Sequence, residues 1–286
     1  MFQGKNGARL PKGKTQRVEN TDKIVRKAYF LMIKFKSKFK NKAPDELVLI
    51  TGASSTHQSS LIQLLESILI FGENLKLYVF DLGLEDNYRN KLEEFRKVLN
   101  LNIVDYDFKS KPNWMDISNP SKGEWSWKPD CIRTIVNLEN EGNPENFNCY
   151  LWLDAGSKVI SNLDFIHDYL HRSGFYSPAS SGLVKEWTHP TQSKIVVGNQ
   201  NFSEKLNLDG SIVGFCSQRQ MPRELLEEWF QFSMIQSVIA PPGSSRQNHR
   251  QDQSLLTLLA YKKGMAPRKW ALHMHKHSIL RHQDID

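Results

Sequence analysis

Apolar and polar positions follow two different periods along the chain. Short continuous apolar runs, typical of strands buried in a parallel sheet, alternate with segments whose apolar residues recur every three or four positions, as on a helix face. Strands connected by helices of this length predict parallel pairing in a doubly wound sheet. The predicted strands are 47–50, 76–80, 102–106 and 149–153, and the predicted helices are 59–71, 87–99 and about 127–141.

After residue 157 the pattern becomes less regular. Residues 180–207 are polar without a clear period and are predicted to be irregular, and 240–250 reads as a loop. A mixed second half on a parallel first half predicts one domain of two parts. Helices are predicted at 163–171, 223–235 and 251–261, and strands at 174–179 and 212–215.

The positive charge of the chain is concentrated in residues 1–43, here called the arm. Residues 1–42 hold 13 Lys and Arg against two acids, a net +11, so the whole-chain +7 leaves −4 for the remainder. We therefore expect no nucleic-acid binding by the body. A basic amphipathic helix is predicted in the arm, which either binds an anionic membrane surface or docks on its own domain. Its apolar face comprises Ile24, Ala28, Leu31, Phe35 and Phe39.

The three cysteines, Cys131, Cys149 and Cys216, show no paired metal-binding spacing. An odd, sparse count argues against a disulfide framework and fits a reducing compartment. No apolar run approaches the roughly 20 residues that span a bilayer. The expected location is cytoplasmic, with peripheral membrane association through the arm.

A single acidic residue, Asp154, ends the fourth predicted strand and is followed by Ala155 and Gly156. Ligands of open α/β sheets bind outside the carboxyl ends of the strands. A carboxylate there can hold a metal or a hydroxyl, and two small residues let a bulky anion approach the backbone. The alternative is that Asp154 caps the next turn.

The first predicted strand is followed by Thr51-Gly52-Ala53-Ser54. A dinucleotide-binding turn needs further glycines, which do not appear here, so a Rossmann oxidoreductase or methyltransferase is disfavoured. A hydroxyl-rich turn before a helix can still contact a nucleotide or phosphate. Thr51 and Ser54 are therefore candidate ligand contacts.

Five short motifs occur at predicted strand ends or helix starts, over about residues 46–262. In this order they resemble GT-A glycosyltransferases, closest to a little-characterised branch with the first three motifs. The resemblance implies a GT-A-like, Rossmann-related mixed sheet flanked by helices, in a single two-part domain. The motifs are Asp81-Leu82-Gly83-Leu84, Trp127-Lys128-Pro129, Trp152-Leu153-Asp154, Asp209-Gly210-Ser211 and Asp252-Gln253.

The resemblance implies that the protein transfers a sugar, expected to be a hexose, from a nucleotide-diphosphate sugar to a glycan, lipid or protein hydroxyl. Residues 44–160 would form the nucleotide-binding half and 161–286 the acceptor half of the domain 44–286. Asp81 would contact the base or ribose. The family's metal-binding Asp-x-Asp reads Asp154-Ala155-Gly156 here, so its second carboxylate is missing. A catalytically inactive domain that binds glycans or a partner is the alternative.

A divalent metal, Mn²⁺ or Mg²⁺, is the expected cofactor. Many GT-A enzymes take a metal ligand from a late histidine, and His273, His275 and His277 alternate on a predicted strand. Asp154 and His275 are the candidate ligands, with an exposed polar strand as the alternative reading of the histidines. In a competing mechanism, cations neutralise the departing diphosphate without a metal. These cations are Lys128, Arg133, Arg246 and Arg250.

An inverting transfer needs a carboxylate that takes the proton of the acceptor hydroxyl. Asp252 is the first candidate and Asp209 the second. The alternative for Asp252 is an N-terminal helix cap.

Overall fold

The structure is a computed structural model that describes residues 46–72, 75–118, 122–141 and 148–286. The arm, with its predicted amphipathic helix, lies outside these residues. Ten strands are described: β1 (Leu47–Ala53), β2 (Lys76–Asp81), β3 (Leu101–Asp105), β4 (Cys149–Leu153), β5 (Lys158–Val159), β6 (Phe175–Tyr176), β7 (Ala179–Leu183), β8 (Leu206–Leu208), β9 (Ile212–Cys216) and β10 (Ile279–Leu280).

Nine α-helices connect or cover the described strands. The long ones match the predicted helices to within three residues at each end, because each has an apolar stripe that packs on the sheet. The helices are α1 (Gln58–Phe71), α2 (Asp86–Arg96), α3 (Trp127–Glu141), α4 (Asp164–Ser173), α5 (Val184–Trp187), α6 (Pro190–Val197), α7 (Gln220–Ser233), α8 (Gln236–Ile239) and α9 (Gln251–Lys262).

The central sheet has six strands in the order β3-β2-β1-β4-β9-β6. The pairs β1–β2, β2–β3 and β1–β4 are parallel, as the strand–helix alternation predicts. β9 pairs antiparallel with both β4 and β6, which makes the sheet mixed. The predicted fold class, a GT-A-like mixed sheet flanked by helices, is confirmed.

Alternate residues of each strand point to opposite faces, and each face has its own apolar core. On β1, for example, Val48 and Ile50 belong to one core, and Leu47 and Leu49 to the other. Apolar residues of α3, α7 and α9 fill the first core, and those of α1 and α4 fill the second. The sheet is therefore sandwiched between two helical layers, which fixes its carboxyl edge in space.

Three local predictions are wrong. Residues 180–207 are not irregular, because they contain α5, α6 and β8 and most of β7. The strand predicted at 174–179 is divided into β6 and β7. The segment Ala271–His277 is a 3₁₀ helix and not a strand, so His275 is buried while His273 and His277 are exposed.

The carboxyl ends of β1, β2 and β4 lie at one edge of the sheet because these strands are parallel. The motifs that follow these strands therefore meet there, together with the beginning of α9. Among the described residues, no helix combines the length and the apolar character that crossing a membrane requires.

Candidate active site

A cavity of about 680 Å³ opens at the carboxyl edge of the sheet. Its wall combines the turn after β1, the start of α3, the segment after β4 and the start of α9. The cavity is lined by seven of the residues predicted as site residues, namely Ser54, Lys128, Asp154, Ala155, Gly156, Asp209 and Asp252.

Lys128 is a buried cation at the centre of this group. Its Nζ lies 2.9 Å from Oδ1 of Asp154 and 3.6 Å from Oδ2 of Asp252, and it donates to the carbonyl of Gly210 at 3.1 Å. Burial disfavours the charged ammonium, but the charges of Asp154 and Asp252 outweigh this effect and raise the pKa of Lys128. Lys128 is therefore a fixed positive charge between two carboxylates.

Asp252 has a buried carboxylate oxygen, Oδ2, that forms no hydrogen bond with the described residues. Burial raises the pKa of Asp252 to about 6, the charge of Lys128 opposes this, and the charge of Asp154 adds to it. An unpartnered buried acceptor is costly unless a ligand supplies a donor. The position fits a group that accepts a proton near neutral pH.

Asp209 is engaged by its neighbours at both carboxylate oxygens. Oδ1 accepts from the backbone N–H of Ser211 at 2.6 Å and from its hydroxyl, and Oδ2 forms an ion pair with Arg281. Nε2 of His282 lies 4.0 Å from the same Oδ2. Asp209 therefore shapes the turn before β9 and joins it to the chain near residue 281.

Asp154 is the most exposed of the three central acids, with 39% of its side chain accessible. The indole N–H of Trp152 donates to its Oδ1 at 2.6 Å, so the motif Trp-x-Asp holds its own carboxylate. Two residues later, Gly156 lies directly against the carboxylate of Asp284, and a Cβ at Gly156 would overlap that group. A side chain from the distant end of the described chain thus reaches the Asp154 segment.

Residues 281–286, here called the C-terminal segment, cross the carboxyl edge of the sheet. The N–H of Gln283 donates to the carbonyl of Gly156 at 2.7 Å. The carboxylate of Asp286 accepts from the backbone N–H groups of Ser59 and Ser60 at 2.8 and 3.0 Å. An acidic side chain therefore occupies the N-terminus of α1, where the sequence suggested a phosphate contact.

Four predicted site residues do not line the cavity. Asp81 accepts from the N–H groups of the turn at Gly83 and Leu84 and pairs with Arg89, although Leu82 and Gly83 themselves line the cavity. Thr51 is buried within β1. The side chains of Arg133 and His275 also lie outside the cavity lining.

Arg133 is on α3, where its Nε donates to Oε2 of Glu227 at 2.5 Å and its guanidinium stacks on Phe230. His275 is buried against the hydroxyl of Tyr176, 3.4 Å from its Nδ1. Burial lowers the pKa of His275 to about 3, and the charge of Arg281 adds to this effect. Neither side chain reaches Asp154, so the structure does not bring the predicted ligand pair Asp154 and His275 together.

Other residues line the cavity that the sequence interpretation did not select as site residues. His282 and Asp284 are the clearest cases, and Trp125 is another. Arg246 and Arg250, assigned only to the competing metal-free mechanism, also line it. A late histidine was expected, but the signal in the sequence pointed to the alternating His273–His277 and not to His282. Among the described residues, no group of three or more His, Cys, Asp or Glu is arranged to hold a metal.

Comparison with known proteins identifies the fold. No protein-family model matches the sequence, and no curated protein matches it either. The solved structure of WbbM, a bifunctional glycosyltransferase, matches with a TM-score of 0.50 at 10% identity, over 77% of this chain and 38% of that chain. The present chain therefore spans well under half the length of WbbM.

Two further solved structures are glycosyltransferases. The galactosyltransferase LgtC, in complex with donor and acceptor sugar analogues, matches with a TM-score of 0.43 at 16% identity, over 77% of this chain and 72% of that chain. Core-mannan synthase A from Aspergillus fumigatus, in a Mn/GDP form, matches with a TM-score of 0.45 at 8% identity. The match covers 78% of this chain and 71% of that chain. At 10% identity the WbbM match, which has the higher TM-score, concerns the fold alone, and that fold is a GT-A-type mixed sheet flanked by helices.

Proposed function

We propose that this protein is a glycosyltransferase that moves a sugar, expected to be a hexose, from a nucleotide-diphosphate sugar to a hydroxyl of a glycan, lipid or protein. The observation that carries the proposal is Oδ2 of Asp252, which is buried, forms no hydrogen bond with the described residues and lies 3.6 Å from Nζ of Lys128, at the carboxyl edge of a GT-A-type sheet. This edge is where open α/β sheets bind their ligands.

In this proposal Asp252 is the catalytic base. Its Oδ2 accepts the proton of the acceptor hydroxyl. At the same time, the oxygen of that hydroxyl bonds to the anomeric carbon of the sugar. The bond from this carbon to the diphosphate breaks, and its electron pair leaves with the diphosphate. Such a displacement inverts the configuration of the sugar. Lys128 favours the ionised base through its charge, and Asp209, with both oxygens engaged, is less suited to this role.

The residues of the cavity fit a divalent cation that is held mainly by the donor. Lys128 is the single described cation within ion-pair distance of Asp154 and Asp252, so these three groups carry net negative charge. Asp284 adds a carboxylate beside Gly156. Asp154, Asp284 and His282 all line the cavity but form no preformed metal cage, so a divalent ion would take most of its ligands from diphosphate oxygens and water. When bound, the metal would neutralise the leaving diphosphate.

The donor belongs on the side of β1 and β2 in this proposal, with its nucleoside near Ser54 and the turn Leu82–Gly83. Asp81 would act there by shaping the turn through its hydrogen bonds to backbone N–H groups. The acceptor belongs on the side of α9. Residues 44–160 and 161–286 are the corresponding halves. A cytoplasmic location, with the arm on an anionic membrane surface, completes the proposal.

A thermal-shift screen of nucleotide-diphosphate sugars, with and without Mn²⁺, tests the proposal because a ligand of the native state raises the melting temperature. We expect a donor to bind and to be turned over slowly, and Asp252→Asn and Asp154→Ala to abolish turnover while the protein stays folded. Binding without turnover in the unsubstituted protein would favour the inactive, glycan- or partner-binding alternative. If no nucleotide-diphosphate sugar binds, both the proposed activity and the proposed donor site are wrong.

A further inference from the structure

Two arginines at the edge of the cavity are held in place by aromatic rings. The guanidinium of Arg246 lies 4.5 Å from the ring centroid of Trp125, and that of Arg250 lies 3.9 Å from the ring of Trp187. Stacking fixes the plane of a guanidinium and leaves its N–H edge free to donate. We call Arg246 and Arg250 the cationic pair.

The cationic pair lacks the acidic partners that other arginines of this protein have. Arg89 pairs with Asp81, Arg133 with Glu227 and Arg281 with Asp209. Among the described residues, no carboxylate forms an ion pair with Arg246 or Arg250. Burial of Arg250 and the like charge of Arg246 both lower the pKa of Arg250.

The charge of Arg246 acts unfavourably on that of Arg250, and a bound anion would relieve that repulsion. Glu124 is near enough to feel the charge of Arg246, yet it forms no ion pair with it. Planar guanidinium groups with free edges suit phosphate or carboxylate oxygens, which they bind in bidentate fashion. The cationic pair therefore has the features of an anion site that opens into the cavity.

We propose that the cationic pair binds an anionic group, such as a phosphate, carried by the acceptor. This inference rests on the proposed function. Arg250 directly precedes α9 and lies two residues before Asp252, the proposed base. The charge of Arg246 also acts on Asp252. An acceptor whose hydroxyl meets Asp252 would therefore carry its anionic group to these arginines, whereas the donor approaches from the ends of β1 and β2.

The binding of inorganic phosphate to the full chain, followed by isothermal titration, tests this proposal. We expect Arg246→Gln combined with Arg250→Gln to weaken phosphate binding at least tenfold. The matched control is Arg133→Gln, which also removes an arginine stacked on an aromatic ring, but outside the cavity. We expect no change in the control, and equal loss in the control or no loss in the double variant would overturn the proposal.

A second experiment tests whether the bound anion belongs to the acceptor or to the donor. Phosphate is titrated again in the presence of a saturating nucleoside diphosphate that binds in the thermal-shift screen. Phosphate binding that persists supports a separate acceptor site. Competition, together with a matching loss of nucleotide affinity in the double variant, would assign the pair to the donor diphosphate and overturn the proposal.

The two proposals fail in distinguishable ways. If no nucleotide binds, the proposed function fails, while the phosphate titration of the double variant still reports whether the cationic pair is an anion site. Glucose 6-phosphate and uncharged glucose supply a further comparison at equal concentrations. Tighter binding of glucose 6-phosphate that depends on the pair supports an anionic acceptor, and equal binding of both sugars overturns it.

Discussion

At the scale of single residues, Lys128 is the buried cation that pairs with Asp154 and Asp252 in the cavity. Removing one partner of a buried pair leaves an uncompensated charge and typically costs about 3–5 kcal/mol. Because Asp154 is partly exposed, we expect Lys128→Gln to lower the free energy of unfolding by about 3 kcal/mol. The measurement is denaturation by urea at neutral pH.

Arg133→Gln is the control for this substitution, since Arg133 lies on the same helix but in a partly exposed pair with Glu227. Pairs of this kind contribute about 1 kcal/mol or less. If the two variants lose equal free energy of unfolding, the buried ion pairs of Lys128 stabilise the fold no more than the partly exposed pair of Arg133 does.

Asp252 gives a pH dependence whose sign follows from its raised pKa. The folded-state pKa is about 6 and the reference value is 3.8, so the folded state binds the proton more tightly than the unfolded state does. The resulting stability is fully present below pH 3.8 and is lost as pH rises through about 6. From pH 4 to pH 7, we expect the unsubstituted protein to lose roughly 2 kcal/mol relative to Asp252→Asn.

The check is denaturation of both proteins in EDTA at pH 4, 5, 6 and 7, so that no metal alters the titration. Parallel stability profiles of the two proteins across this range would contradict the raised pKa. A catalytic role adds a second readout, because kcat/KM should then fall as pH drops below about 6.

At the scale of elements, the C-terminal segment acts as a cap on α1. The carboxylate of Asp286 accepts from two backbone N–H groups of the first turn, which otherwise lack partners within the helix. Loss of a helix cap costs about 1 kcal/mol. We expect Asp286→Ala, which removes both acceptor oxygens, to destabilise the protein by roughly this amount, as measured by thermal and urea unfolding.

The control for the cap is Asp164→Ala, at the exposed first residue of α4. It changes the charge at a helix N-terminus without removing a side-chain hydrogen bond, and such a charge contributes about 0.3–1 kcal/mol at most. A loss in Asp164→Ala as large as that in Asp286→Ala would mean that charge alone, and not capping, explains the effect.

At the scale of the whole molecule, two buried histidines predict instability in acid. Burial lowers the pKa of His249 to about 4 and that of His275 to about 3. A lowered histidine pKa contributes stability that is present above the reference value of 6.5 and is lost as pH falls. By pH 4 we expect each histidine to cost roughly 3 kcal/mol.

His249 lies just before α9 and His275 in the 3₁₀ helix Ala271–His277, so the two histidines belong to separate elements and their costs should add as pH falls. The variant His249→Gln combined with His275→Gln should show a flatter stability profile from pH 6.5 to pH 4 than the unsubstituted protein. His277→Gln, at an exposed position, is the control and should leave the profile unchanged. An unchanged profile in the double variant would refute this assignment.

Local sequence patterns were sufficient to predict most elements and the edge where the site lies. The apolar runs at β1, β2, β3 and β4 and the helical periods of α1 and α3 act over neighbouring residues, so they can be read one segment at a time. Once the strands are parallel, their following residues share an edge. This is why Asp154, Lys128 and Asp252 were predicted together and line one cavity.

Contacts between distant segments were decided only by the tertiary structure. The antiparallel insertion of β9 between β4 and β6 has no local signature, because antiparallel and parallel partners bury similar apolar runs. The sequence interpretation missed the helix α6 because its apolar residues Ile195, Val196 and Val197 are consecutive and show no helical period, so tertiary packing stabilises it.

The same distinction explains the site residues. By itself the sequence determined the residue types, a strand-end carboxylate, a lysine at a helix start and a late histidine, because single positions and short motifs specify them. Which histidine reaches the cavity depended on the 3₁₀ helix at 271–277, which buries His275, and on β10, after which the chain returns with His282 and Asp284. These contacts join segments far apart in the chain, such as His275 and Tyr176 at a separation of 99 positions, so they arise from packing of the whole chain and not from local pattern.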